Sequence, residues 1–282
     1  MPSLQEKVSD ATHSVRERWP SVPQVVIVLG SGLGGFSDEI DVEQVIPYAD
    51  IPHFKSATVI GHDGKLICGT IGGTNVCAMQ GRFHRYEGYS LSDVAFPIRV
   101  FADLGVSVLV VSNACGGLNP LFVAGDVMVI EDQVNFLFQN PLTGISGTLV
   151  GEDREMGRPS SLCGTARPVY DSRLIELAGE IARRRGIPLQ QGVYCSVPGP
   201  NYETRAELKM LRTMGVDVVG MSTIPEVIVA NLLGLRVLGF SAVTNKCSPD
   251  VRVETSGEAV VVAAESTEPK MRDIVLGVMN EL

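Results

Sequence analysis

The sequence predicts an α/β domain on a largely parallel central sheet. Three observations carry that prediction. Short all-apolar runs such as residues 25–29 (VVIVL) end in glycines or small polar residues, as buried parallel strands do. Between them lie segments with apolar residues at helical spacing, closing at Gly105, Gly186, Gly215 and Gly234. The two kinds alternate with no internal repeat, low-complexity tract or linker, so residues 1–282 are read as one domain.

The elements follow in order. Residues 65–70 and 74–79 flank Gly72-Gly73 and read as a hairpin. Residues 91–104 read as a helix, 106–111 as a buried strand and 127–130 as another short one. Residues 140–166 are rich in Gly, Pro and Ser and read as a long functional or interfacial loop. The helix at 174–185 ends in three arginines, which suits its C-terminal dipole. A strand at 191–197 runs into Pro198-Gly199-Pro200. Thr204 and Glu207 form a T-x-x-E capping box for the next helix. A strand at 216–220 follows. Pro225 suits the first position of a helix over 225–233, and the last strand is 237–244.

Composition narrows the function. A formal net charge of −9 argues against non-specific nucleic-acid binding but leaves room for a local cationic pocket. The longest apolar region, 227–243, is interrupted by Asn231, Gly234 and Arg236, so no membrane span is expected. The N-terminal stretch is charged and lacks a signal-peptide core. The six cysteines form no CxxC pair and read as free buried thiols in a reducing cytoplasm.

Candidate site residues fall into three groups. Gly30, Gly32 and Gly35 fit G-x-G-x-x-G after a strand. No strand with a terminal acidic residue follows at the dinucleotide spacing. A tight turn, or a backbone cradle for a single phosphate with the Ser31 hydroxyl, fits the loop better. The run GRFHRYEGY supplies Arg82, His84, Arg85, Tyr86 and Tyr89, with His62 upstream. Arg82 and His84 alternate with Phe83, so on an extended segment both face one side and suit an anion, while Arg85 reads as a surface charge. Asn113 to Gly117 follow a buried strand, and either a ligand-facing strand end or a plain turn fits them. Cys115 lacks an activating base in any pattern.

The third group is the carboxylate and the amide. Met221, Ser222 and Thr223 end one strand, and Asn245 and Lys246 end the next, so both open on one rim. Glu203 reads either as a favourable charge at a helix N-terminus or as an acceptor for a ligand N–H. Asn245 reads either as a capping amide in a turn or as a donor and acceptor for a base. Together the two match N1–H, O6 and N7 of a 6-oxopurine.

With LGSGLGG, GRFHRYEGYS, VSNACGGLNP, VPGPNYETRAE, VVGMSTIPE and AVTNK in order, the chain resembles the purine nucleoside phosphorylases of the trimeric, low-molecular-mass type. The resemblance implies an α/β sandwich around a mixed, partly barrel-like sheet flanked by helices. It implies a homotrimer with sites near subunit borders. It places phosphate on Ser31, Arg82, His84, the Ala114 backbone N–H and Ser222, with His62 beside it. Tyr86 and Met221 match ribose contacts, Tyr202 an aromatic packed on purine and ribose, and Glu203 and Asn245 the base-recognition pair. His84, Glu203 and Asn245 are the residues it implies for catalysis. No metal or organic cofactor is implied; inorganic phosphate is the co-substrate. Where the family often has a histidine for the ribose 5′-hydroxyl, this chain has Gly257, which leaves room for a 5′ substituent.

The expected reaction is reversible phosphorolysis of 6-oxopurine (deoxy)ribonucleosides to free base and (deoxy)ribose 1-phosphate. Its rivals are a 5′-methylthioadenosine phosphorylase, an NAD-dependent oxidoreductase resting on the glycine loop, and a non-enzymatic nucleoside-binding protein.

Overall fold

The computed structural model describes residues 2–30, 34–59, 62–144, 168–250 and 256–282. Nine strands among them form one sheet: β1 (Val25–Leu29), β2 (Asp41–Pro47), β3 (Lys65–Ile71), β4 (Thr74–Gln80), β5 (Val108–Gly117), β6 (Val127–Asn135), β7 (Leu189–Ser196), β8 (Val218–Gly220) and β9 (Arg236–Lys246). The order is β2-β3-β4-β1-β5-β8-β7-β6-β9, and β9 also pairs with β5. That extra pairing closes β5, β8, β7, β6 and β9 into a ring, the partly barrel-like sheet expected.

The sheet is mixed rather than largely parallel. Inside the ring β5 and β9 run together, as do β6, β7 and β8. A ring of two co-directional groups has two antiparallel seams, here β5–β8 and β6–β9. The β3–β4 hairpin forms as expected, and β2 extends it antiparallel. Sequence periodicity missed β2, because it is an edge strand with one buried residue, Ile46, and carries charge instead of alternation.

Seven described helices flank the sheet: α1 (Leu4–Arg18), α2 (Leu91–Val94), α3 (Phe96–Leu104), α4 (Ser172–Arg185), α5 (Arg205–Thr213), α6 (Ile224–Leu232) and α7 (Gly257–Met279). The helix expected at 91–104 is broken at Ala95, where Pro97 opens α3 within its first turn. The Thr204–Glu207 box caps α5 as predicted. Strand alternation divides the core. Val26 and Val28 face α1, α3 and α6, while Val25, Ile27 and Leu29 face α4 and α7. Of the loop expected at 140–166, residues 145–166 lie outside the described residues.

Candidate active site

The strand ends surround a cavity of about 860 Å³. Arg82, His84, Tyr86, Ala114, Tyr202, Glu203, Met221, Ser222 and Asn245 all line it; His62, Tyr89, Gly117 and Thr223 do not, and Ser31 lies outside the described residues. Arg85 also stands away from the cavity, against Gln139 Oε1. Lys246 donates to the Pro120 carbonyl and does not line the cavity.

One pole of the cavity is cationic and hydroxylic. After β4 the chain turns at Gly81 (φ +103°), where a methyl group would meet His62 Cβ at 2.7 Å. Arg82 and His84 then face the cavity, and Phe83 enters the core against Tyr48 and Phe54. Arg82 is 2% exposed. Its Nη1 donates to Ser222 Oγ (2.9 Å) and Thr223 Oγ1 (3.0 Å), and its Nε lies 3.3 Å from Glu226 Oε1.

Proton counting assigns the Ser222 hydroxyl. Thr223 Oγ1 accepts from Arg82 Nη1 and from Asn113 Nδ2 (3.0 Å), whose own carbonyl accepts from Ser241. Both Thr223 lone pairs are taken, so its proton goes to Ser222 Oγ, 3.2 Å away. Ser222 then accepts twice, from Arg82 and Thr223, and its own proton is left for a ligand. Thr223 sits in a tight turn at φ +73°, closed by Ile224 N–H donating to Ser222 O at 2.8 Å. A β-branched residue at positive φ stores strain, held here by buried hydrogen bonds. Asn113 and Thr223 were read at two strand ends, but their joining with Glu226 into one network escaped sequence reasoning; the signal for Glu226 was its place after a helix-starting Pro225.

His84 Nδ1 donates to Glu87 Oε1 at 3.0 Å, leaving Nε2 as the nitrogen available to a ligand. Burial would raise the Glu87 carboxyl, but hydrogen bonds from His84 and Thr58 override it and hold it down at about 2. The His84 ring lies between Tyr86 (4.7 Å) and His62 (5.2 Å) in a stack. His62 therefore stands one ring behind the cavity instead of on its wall.

Burial, then the His84 charge, lowers His62 to about 4 from 6.5. Between those values the unfolded chain binds the extra proton, so stability falls as pH drops through that window, by at most about 3 kcal/mol. Glu87, lowered in the fold, adds a further loss between 4.5 and about 2. His62→Gln is expected to flatten the dependence of the urea midpoint on pH between 6.5 and 4; an unchanged slope would refute the assignment.

The opposite pole holds a carboxylate and an amide. Thr204 and Glu207 cap α5, so Glu203, one residue earlier, is not its capping charge and lines the cavity instead. Burial pushes the Glu203 carboxyl up, and Glu207 adds to this against a backbone hydrogen bond. Asn245 sits within β9 rather than in a turn. Asn113 to Gly117 likewise belong to β5, with an irregularity between Cys115 and Gly116 that leaves Thr244 of β9 unpaired in register. Burial pushes the Cys115 thiol far up, which removes any nucleophile role. Tyr86, Met221 and Tyr202 line the space near both poles. The first turns of α7 supply another wall through Gly257, Val260 and Val261.

The glycine run at Gly30 is followed by a 3-10 turn (Gly34–Glu39) and edge strand β2, not by the helix a dinucleotide fingerprint needs. Gly30 serves close packing: a methyl group there would lie 2.7 Å from the Ser112 carbonyl.

Residues 24–280 match the family model described as Phosphorylase superfamily. The chain belongs to that superfamily, and within it to the purine nucleoside phosphorylases. Purine nucleoside phosphorylase 1 of Bacillus subtilis is 43% identical over 278 residues, covering 99% of both chains. The mouse purine nucleoside phosphorylase is 47% identical over 233 residues, 81% of this chain and 78% of its own. A Schistosoma purine nucleoside phosphorylase solved with hypoxanthine superposes with a TM-score of 0.86 at 38% identity, covering 98% of this chain and 97% of its own. The Schistosoma mansoni enzyme solved with adenosine gives 0.84 at 39%, with the same coverage. The family read from six sequence motifs is the one found, and the phosphorylase sandwich is its fold.

Proposed function

We propose that this phosphorylase cleaves 6-oxopurine (deoxy)ribonucleosides by phosphorolysis, with inorganic phosphate as co-substrate and no metal or organic cofactor. One observation carries the reading: an anion pole with a free Ser222 proton and a carboxylate–amide pole open on one cavity. A phosphate would take donors from Ser222, Arg82 and the Ala114 N–H, share a proton with His84, and meet Ser31 on the glycine loop. Arg82 Nη2 is buried with no hydrogen-bond partner, which suits a further donor to an anion.

A phosphate oxygen bonds to C1′ as the C1′–N9 bond breaks and its electron pair leaves with the purine. Positive charge on the ribose is balanced by the phosphate, and negative charge on the base by Asn245 at N7. Glu203 accepts from N1–H, which would offset the burial that raises its carboxyl. Tyr202 packs on the base, and Tyr86 and Met221 on the ribose.

The 5′-methylthioadenosine reading keeps one supporting observation: a methyl group at Gly257 would meet nothing within 4 Å, and Val260 and Val261 lie beside it. Asn245 weighs against it, since sites built for one hydrogen-bond pattern reject another by about 10⁴-fold. Base release from inosine, guanosine, adenosine and 5′-methylthioadenosine, with and without phosphate, separates the two. Phosphate-dependent release from the oxopurine nucleosides is expected; preference for methylthioadenosine overturns the base assignment, and phosphate independence overturns phosphorolysis.

The reading includes a cytoplasmic homotrimer. In its support, Phe138 is 81% exposed and stacked on Phe136, near exposed Met210. The five described cysteines are free, as suits a reducing compartment. No described helix is long and apolar enough to cross a membrane.

A further inference from the structure

Behind the Asn245 amide runs a short polar chain. The Thr244 hydroxyl lies 3.0 Å from the Cys115 carbonyl and 3.1 Å from Asn245 Oδ1, and Asn245 Nδ2 lies 3.3 Å from Cys247 Sγ. One hydroxyl has one proton. The ladder irregularity at Cys115 and Gly116 skips Thr244, and the Thr244 side chain fills in by donating to the Cys115 carbonyl. Its oxygen then offers Asn245 only lone pairs. Two oxygens facing each other at 3.1 Å with no proton between them repel. Turning the amide over exchanges Oδ1 and Nδ2 and resolves this at both ends. Nδ2–H donates to Thr244 Oγ1, and the Cys247 S–H donates to Oδ1.

The thiol is suited to that task. Burial, and then the Glu203 charge, raises it to about 11, so it stays protonated near neutrality. It is also fixed in place, because a methyl group at Gly116 would coincide with Cys247 Sγ. The glycine leaves the notch the sulfur fills, directly beside the base pole.

We propose that Cys247 is a positioning residue that fixes the direction of the Asn245 amide and thereby sets base selectivity. With both back-side bonds made, Asn245 keeps one N–H and one carbonyl lone pair for the base. The N–H donates to O6 or N7, and that hydrogen bond strengthens as negative charge builds on the departing base. The inference rests on the proposed 6-oxopurine reading.

The test compares C247A, C247S and T244V for kcat/KM on inosine and adenosine and for KM of phosphate. Losing one neutral hydrogen bond is expected to lower inosine kcat/KM about tenfold in C247A and T244V, with phosphate KM unchanged. The inosine-to-adenosine ratio is expected to fall in both. C247S keeps an O–H donor and is expected to recover to within about threefold of the unmodified protein. Wild-type selectivity in C247A, or a C247S no better than C247A, would reduce the thiol to a filler of the Gly116 notch and overturn the proposal. Absence of phosphate-dependent inosine cleavage in the unmodified protein sinks the underlying reading instead, before any variant is compared.

Discussion

Glu226→Ala is expected to destabilise the protein by about 3–5 kcal/mol and to weaken phosphate binding with it. Glu226 is 2% exposed and is the carboxylate beside Arg82, 3.3 Å from Nε. Removing it strands a guanidinium in a site where water cannot replace the lost charge. Arg82 also holds Ser222 and Thr223 through Nη1, so the loss reaches the hydroxyl that carries the free proton. A second variant separates stability from function. Arg82→Met with Glu226→Leu removes both charges at similar volume, and buried pairs replaced in this way are often neutral in stability. The double variant is expected to unfold in urea within about 2 kcal/mol of the unmodified protein yet show no phosphate-dependent turnover. An E226A protein as stable as the unmodified one would mean that the pair is screened, and the anion pole would need another account.

The sequence made some of this legible, for identifiable reasons. Arg82 and His84 could be read because alternation about Phe83 is a local property of an extended backbone. The Thr204–Glu207 box was readable because capping is local too. That box takes the capping role at α5, and Glu203, one residue earlier, lines the cavity. Glu226 could not be read. An acidic residue after a helix-starting proline is ordinary on a surface, and its pairing with Arg82 spans more than 140 positions of chain. Glu87 was hidden in part in the same way: its carboxyl is held low by hydrogen bonds from nearby His84 and then from Thr58, a residue in a different segment. Strand β2 and helices α1 and α7 escaped for other reasons. An edge strand shows no buried alternation, α1 presents a narrow stripe of Val8, Ala11 and Val15, and α7 carries an internal Pro269. The ring closure follows from the direction of five strands, which periodicity does not encode.

Asn245→Ala is expected to lower kcat on inosine by about 10²–10³-fold while leaving phosphate KM within about threefold. The asymmetry follows from the two poles. On the proposed reading, phosphate is held by groups on the turn after β4 and at the start of α6, whereas the Asn245 side chain, near the end of β9, hydrogen-bonds to Thr244 and Cys247 among the described residues. Its contribution grows as charge moves onto the purine, so it acts on the transition state more than on the bound nucleoside. Asn245→Asp sharpens the test. An ionised carboxylate accepts but does not donate, so it keeps the acceptor for a 6-amino group and loses the donor for O6. The aspartate variant is therefore expected to shift the inosine-to-adenosine ratio toward adenosine, where alanine merely lowers both. Near-normal inosine turnover in the alanine variant would remove Asn245 from the chemistry, and the base pole would then rest on Glu203 alone. A carboxylate at N1 recognises the ring but stands far from the breaking bond at N9, so that outcome would leave the departing base without a partner and move the source of catalysis to the anion pole.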